Sequence, residues 1–400
     1  MPRLHHILSA LLLLLPAVPL HPSAQAAPEP NLLELKRDLV IINNLTELNH
    51  HLEQLALRAQ HRTNCLFAGK YKGREQATIA KSLWQNYSRA YTITYHPDGS
   101  VLLDFEYKDH IRLLAAHRHP EQRAALSKRE QEALHAAQEL LRHHITDDMS
   151  TYDKVLTLHD VLIERTTYAH SNSGDCCAVL LDGFGVCDGY SRTLWLLLRM
   201  CDIPCLIVIG HTTEPHAWNL VRLNKSWYHI DPTWDDPATT GSHDQILSHN
   251  YFLLSDEQIS HDHNWDRNSV PPAVVRDSLY FRNNKRYFNN YAQMWQSVVL
   301  AIRNGDTEYE AYLADFGNKE NFLRSLRSHS QRHPELSAIH TWTGPVNRSK
   351  GVIRLTFHHS DSPTALKDLI ADFFSELISS LGKLLSDLFS AITKAIRSCF

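Results

Sequence analysis

Residues 185–237 read GVCDGYSRTLWLLLRMCDIPCLIVIGHTTEPHAWNLVRLNKSWYHIDPTWDDP, and how this stretch divides decides the fold. Cys187 stands between Gly185 and Gly189, just ahead of an apolar run (Leu194, Trp195, Leu197, Leu198) dense enough for a core-facing helix. The thiol is therefore expected at a helix start. There the unpaired backbone N–H groups and the positive end of the helix dipole favour thiolate over thiol, below the ~8.5 of a free cysteine. The same N–H groups could hold an oxyanion.

Residues 205–210 (CLIVIG) are an apolar, β-branched run of strand type, followed by a polar loop that ends at Pro215. His216 opens a second strand, AWNLVRL. Asn224-Lys225 supplies a turn, and residues 226–231 return as a third strand. With an even-length turn centred between Asn224 and Lys225, Trp218 lies opposite Asp231, and His216 is two residues from Trp218 on the same face. His216 and Asp231 then become diagonal neighbours, roughly 7 to 8 Å apart at the backbone and closer at the tips. An odd-length turn would put them on opposite faces. Cys187, His216 and Asp231 are thus the candidate nucleophile, base and orienter.

The order Cys, His, Asp with these neighbours resembles the transglutaminase-like superfamily, in particular its bacterial secreted members. The matching words are GVCDGYS at 185–191, HAWN at 216–219 and WYHIDPTWDDP at 227–237; MSTYDKVLTLHDVLIERTTY upstream and YFLLSDEQIS downstream look like that family too. The resemblance covers about residues 145–265. It implies an α+β fold with a transglutaminase-like (papain-like) core, in which a helix-borne cysteine packs on an antiparallel sheet. Asp188 stands where family members often carry Gln or Glu, and an acid beside the thiol would oppose its ionisation.

With 400 residues, 43% of them hydrophobic, and a net charge of −4, the chain can form more than one core, and nothing marks it as disordered or nucleic-acid binding. Arg3, the apolar run 7–20 and Ala24-Gln25-Ala26 make a signal peptide over residues 1–26, so a secreted, periplasmic or cell-surface location is expected. Seven cysteines in an exported chain fit one free nucleophile plus up to three bridges among Cys65, Cys176, Cys177, Cys201, Cys205 and Cys399. The 27 histidines are scattered singly and in pairs and read mostly as surface residues. His159, alone on a helix, reads as a packing residue. A zinc site from Cys176, Cys177, Cys187 and His216 lacks the usual C-x2-C pairs, so neither metal nor cofactor is expected. Asp235 and Asp236 read as caps of the next turn, and Trp218 and Trp234 as hairpin core.

Around the catalytic domain expected over residues 116–270, two small α/β units are expected at 27–115 and 271–360. The first reads as a helix over 44–60, a strand over 64–68, a helix over 74–87 and a hairpin built from 91–95 and 101–105. The second repeats this order with a helix over 290–303, a strand over 309–313, a helix over 319–328 and strands over 337–341 and 352–357. It reads as an internal duplication, against the alternative of two unrelated modules. Residues 361–400 are expected to form an amphipathic helix. Leu366, Ile370, Phe373, Leu377, Leu381, Leu384, Leu388 and Ile392 line one face, suited to packing on its own protein, to self-association or to a membrane surface.

The expected activity is acyl transfer on protein or peptide amide bonds through a thioester at Cys187. Hydrolysis of a peptide leads, by analogy with the exported relatives; glutamine deamidation or transamidation is the alternative. A surface binding or assembly protein whose triad has drifted out of use is the non-enzymatic reading.

Overall fold

The computed structural model describes residues 39–357 apart from 59, 76, 78, 80–87, 170–173, 237–246, 277 and 344–350. The expected leader, the helix over 361–400, Cys399 and most of the helix over 74–87 lie outside the described residues.

Strand β1 (Leu39–Ile42), helix α1 (Leu45–Leu57), strand β2 (Arg62–Phe67) and the hairpin β3 (Ser88–Tyr95) and β4 (Val101–Tyr107) open the described chain. They form one sheet in the order β1-β2-β4-β3, in which β1 runs parallel to β2 and the other pairs are antiparallel. Leu48, Leu52 and Leu55, three or four residues apart on α1, are buried together with Phe67, Leu103 and Phe105. Strand β4 alternates buried and partly exposed positions, as a sheet covered on one face requires.

Helices α2 (Asp109–Arg118), α3 (Lys128–His144), α4 (Thr151–Arg165), α5 (Cys176–Asp182) and α6 (Cys187–Met200) follow, with the short parallel pair β5 (Thr167–Tyr168) and β6 (Phe184–Gly185) between them. Ser127 begins α3 with a capping box, and Ser150 caps α4 by accepting from the Asp153 N–H. Every residue of α6 from Gly189 to Leu198 is buried. A helix buried on all sides belongs in the middle of a domain, and α6 packs against α2, α4, α5 and the sheet that comes next.

That sheet has five strands in the order β10-β9-β8-β7-β11: β7 (Cys205–His211), β8 (Pro215–Leu223), β9 (Ser226–Ile230), β10 (Phe252–Leu254) and β11 (Asn264–Trp265). All its pairs are antiparallel. Strands β8 and β9 pair Leu223 with Ser226 and Asn219 with Ile230 across the two-residue turn Asn224-Lys225, where Asn224 takes a φ of 54°. Gly210 on β7 leaves room for its neighbours: a Cβ there would sit 2.2 Å from the Asn264 carbonyl oxygen and 2.7 Å from the Trp218 ring.

The last sheet, β12-β13-β15-β14, comprises β12 (Tyr287–Phe288), β13 (Glu308–Leu313), β14 (Ile339–Thr343) and β15 (Val352–Phe357), with helices α7 (Tyr291–Asn304) and α8 (Lys319–Ser330) between its strands. Its first pair is parallel and the others antiparallel, the same pattern as in the first sheet. The short leading strands β1 and β12 were not expected, since two to four residues carry too little periodicity to be read.

The disulfide expectation is corrected: Cys65, Cys176, Cys177, Cys187, Cys201 and Cys205 are free thiols, and Cys65, Cys176, Cys177 and Cys205 are buried in the core. They pack as small apolar side chains, and burial pushes Cys65 up to about 11. No described helix is long and apolar enough to cross a membrane.

Candidate active site

Gly183, in the left-handed region at φ 75°, ends α5 and turns the chain into β6. Pairing of β6 with β5 carries it to Val186, and α6 begins at Cys187. Ser127, Ser150 and Asp175 cap their helices with side-chain oxygens; Val186 has none to offer. The first-turn N–H groups beside Cys187 therefore meet no side-chain cap, and an anion there would find donors and the positive end of a four-turn helix. Cys187 itself is partly exposed.

On the sheet, His216 Nε2 donates to Asp231 Oδ2 at 2.7 Å. The two residues come together because the two-residue turn places them diagonally on one face of the β8–β9 hairpin. Burial opposes charge on the His216 ring, but the Asp231 carboxylate and, after it, the Cys187 thiol outweigh burial and push it up to about 10. The ring thus engages Asp231 through one nitrogen while the thiol lies within its reach. With Nε2–H committed to Asp231, Nδ1 is the nitrogen free to exchange a proton.

Asp231 is fully buried. Its Oδ1 accepts the N–H groups of Thr233 (3.0 Å) and Trp234 (3.2 Å), and its Oδ2 accepts a second ring N–H, from His263 Nε2 at 2.9 Å. Although burial works against the charge, His216 and His263 hold this carboxyl well below the usual carboxylate range. Trp218 stacks on His216 with ring centres 6.0 Å apart, Trp234 lies 5.9 Å away, and Trp218 Nε1 donates to His229 Nδ1 at 2.9 Å. The two tryptophans wall the imidazole off from bulk water.

Asp188, the acid beside the thiol, accepts a hydrogen bond from Arg192 one helical turn on, at 2.5 Å. Its charge is offset within its own helix. An open cleft of about 860 Å³ runs past these two residues and past Lys108, Arg112, Arg129 and Glu130. Burial, with the Arg192 charge, lowers Lys108 to about 8.

The strand carrying His216 is tied to the helix carrying Cys187 by Asn219, a buried side chain whose Nδ2 donates to the Ser191 carbonyl at 2.9 Å and approaches Cys205 Sγ at 3.6 Å. Asn219→Ala removes the side-chain bond to that helix carbonyl and opens a gap between strand and helix. It is expected to cost about 1–3 kcal/mol, measurable as a lower urea midpoint at unchanged slope.

Several participants were not expected from the sequence. His263 arrives from a segment 32 positions beyond Asp231, and only its spacing in HDH, residues 261–263, marks it. Asp235 and Asp236, read from the sequence as caps of the next turn, are buried and bonded to other segments. Asp235 is fully buried, accepts from His159 Nε2 at 3.1 Å and from the Tyr251 N–H at 2.8 Å, and Asp236 accepts the Tyr190 hydroxyl at 2.5 Å.

Residues 138–232 match the model of the Transglutaminase-like superfamily. Kyphoscoliosis peptidase of Mus musculus is 25% identical over 120 residues, amounting to 24% of this chain and 18% of that protein, so this chain spans about a fifth of that relative. A crystal structure described as a TGase is similar to 54% of this chain and 63% of its own, at 15% identity and a TM-score of 0.26.

Proposed function

The chain carries a transglutaminase-like domain, and from that premise we propose that it is an exported cysteine-dependent enzyme that cleaves protein or peptide amide bonds through Cys187, His216 and Asp231. The observation that carries this reading is the placement of one imidazole between a buried carboxylate at 2.7 Å and the thiol at the uncapped start of α6. The Cys187 thiolate attacks the carbonyl carbon, and the oxyanion is held by first-turn N–H groups of α6. As the C–N bond breaks, His216 Nδ1 gives its proton to the leaving amine, and the acyl group stays on sulfur as a thioester. Nδ1 then takes a proton from water, whose oxygen attacks the thioester. The acid leaves and the thiol is restored. Asp231 keeps Nε2–H fixed and stabilises the imidazolium in both steps.

Hydrolysis is favoured over transfer to an amine because the curated relative is named a peptidase. The discriminating experiment is mass spectrometry of a glutamine-containing protein incubated with a primary amine and either the wild-type protein or Cys187→Ala. New chain ends that depend on Cys187 mean peptidase. Amine-tagged or deamidated glutamines that depend on Cys187 mean acyl transfer or deamidation. Identical spectra from the two proteins leave the domain a binding module.

A further inference from the structure

A second cluster of histidines and acids lies where α4, the segment before β10 and β13 meet. His159 and Asp160 come from α4, His249 from the segment before β10, Asp235 from the loop after β9 and Glu310 from β13. Asp160 Oδ1 receives two ring nitrogens, His159 Nδ1 at 2.8 Å and His249 Nε2 at 3.0 Å. Each ring points its other nitrogen at a further carboxylate: His159 Nε2 at Asp235 Oδ2 (3.1 Å) and His249 Nδ1 at Glu310 Oε2 (3.0 Å). One donor atom from each of His159, Asp160 and His249 lies within 4.8 Å of the others. Both rings are buried, whereas the Asp160 side chain is 26% exposed. Tyr280 stacks on His249 with ring centres 3.8 Å apart and closes that side.

We propose that His159 Nδ1, His249 Nε2 and the Asp160 carboxylate bind a divalent transition-metal ion, zinc by ligand type, with Asp235 and Glu310 as the outer carboxylates that orient the two rings. The chemistry of the donors argues for it. All four ring nitrogens face carboxylate oxygens, whereas two neutral rings carry only two N–H groups, so two of the four contacts need a further proton, on a ring or on a carboxyl, or a cation in its place. A divalent cation replaces two of those protons at unchanged net charge, and binding releases them to solvent. It leaves each histidine neutral, metallated on one nitrogen and hydrogen-bonded to a carboxylate through the other, the arrangement that histidine ligands of zinc adopt. Tetrahedral ligands about 2.0–2.1 Å from a metal are ~3.3 Å apart. The two nitrogens stand 2.8 and 3.0 Å from Asp160 Oδ1 and all three donor atoms lie within 4.8 Å of one another, so the rings close on the ion as the carboxylate draws back from them. The exposed edge of Asp160 admits the ion and a water as fourth ligand.

Among the described residues two other clusters of this kind occur, with different occupations. His216, Asp231 and His263 belong to the proposed catalytic site. Asp109, beside Cys176 and Cys177, spends Oδ2 on the N–H groups at the start of α5. Because Glu310 lies on β13, the metal site would fasten the last sheet to the helix α4 that packs on α6. That role is structural and independent of the proposed chemistry at Cys187.

The test uses the full chain, stripped of metal and titrated with Zn²⁺ against a chromophoric chelator. The wild type is expected to take up one tight equivalent. Asp160→Asn and His249→Gln should weaken it at least about 100-fold, and Glu310→Gln by roughly 10 to 100-fold. His263→Gln should leave it unchanged. Should a variant fail to fold by circular dichroism, the wild type alone decides: Co²⁺ at this site gives a tetrahedral visible spectrum with no thiolate-to-cobalt charge-transfer band. The proposal is overturned if the wild type binds Zn²⁺ no more tightly than the folded Asp160→Asn variant, if His263→Gln abolishes uptake, or if the Co²⁺ spectrum shows thiolate ligation.

Discussion

Cys187→Ala is expected to lower turnover of a peptide or glutamine amide by a factor on the order of 10⁴ or more, because no other group in the site can form the acyl intermediate. The thiol is partly exposed at the first position of α6, and alanine is the best helix former. The thermal midpoint should therefore stay within a few degrees of the wild type. That combination separates a nucleophile from a packing cysteine. Cys205→Ala, which removes a buried thiol next to Asn219, should show the reverse pattern, with stability lost and turnover per folded molecule kept.

Asp231→Asn is the second large expectation. Asp231 Oδ2 accepts two ring N–H groups, and an amide NH₂ in that place would confront two donors with a donor. To keep the contact, His216 must move its proton from Nε2 to Nδ1, where it can no longer accept one from the thiol. A loss of about 10⁴ in turnover is expected, the size seen when the orienting aspartate of a serine protease is replaced in the same way. Stability changes too, and its pH dependence has a definite sign. The folded-state pKa of His216 is raised to about 10, so the stabilisation it draws from Asp231 is fully present below pH ~6.5 and is lost as pH rises through about 10. The Asp231 carboxyl is depressed, so its share is present above ~3.9 and is lost only in stronger acid. Wild-type melting temperature should therefore fall between pH 7 and 10 more steeply than that of Asp231→Asn. Parallel curves would mean that the pair is not ionised in the folded protein.

The parts of this site that the sequence made legible are those governed by local rules. A two-residue turn at Asn224-Lys225 sets the hairpin register, and the register alone brings His216 to Asp231. The helix start at Cys187 could be read from the glycines around it and the apolar run behind it. His263, Asn219 and Asp235 were beyond such rules. His263 meets Asp231 only because β11 pairs with β7 on the far side of the sheet. Asn219 sits at an inward position of β8, where an apolar residue would be the default; it is polar because the Ser191 carbonyl faces it. His159 reads as a packing residue from its place on a helix, and it is fully buried, but of its two carboxylate partners Asp160 is its neighbour and Asp235 comes from a segment 76 positions away.

The expectation of disulfides failed because odd-number counting and an expected leader say nothing about side-chain direction. The thiols of Cys65, Cys176, Cys177 and Cys205 were placed by the core instead.

The most direct test of the central claim is the rate at which iodoacetamide alkylates Cys187 between pH 5.5 and 9, followed by peptide mass spectrometry in the wild type and in His216→Gln. If His216 and Cys187 share a proton as an ion pair, the wild-type rate is fast and nearly flat across this range. The variant is then slow at low pH and its rate climbs steadily with pH, as for a thiol without an imidazole partner. A wild-type rate as slow as the variant's, climbing in the same way, would contradict an activated thiolate at Cys187 and with it the proposed chemistry.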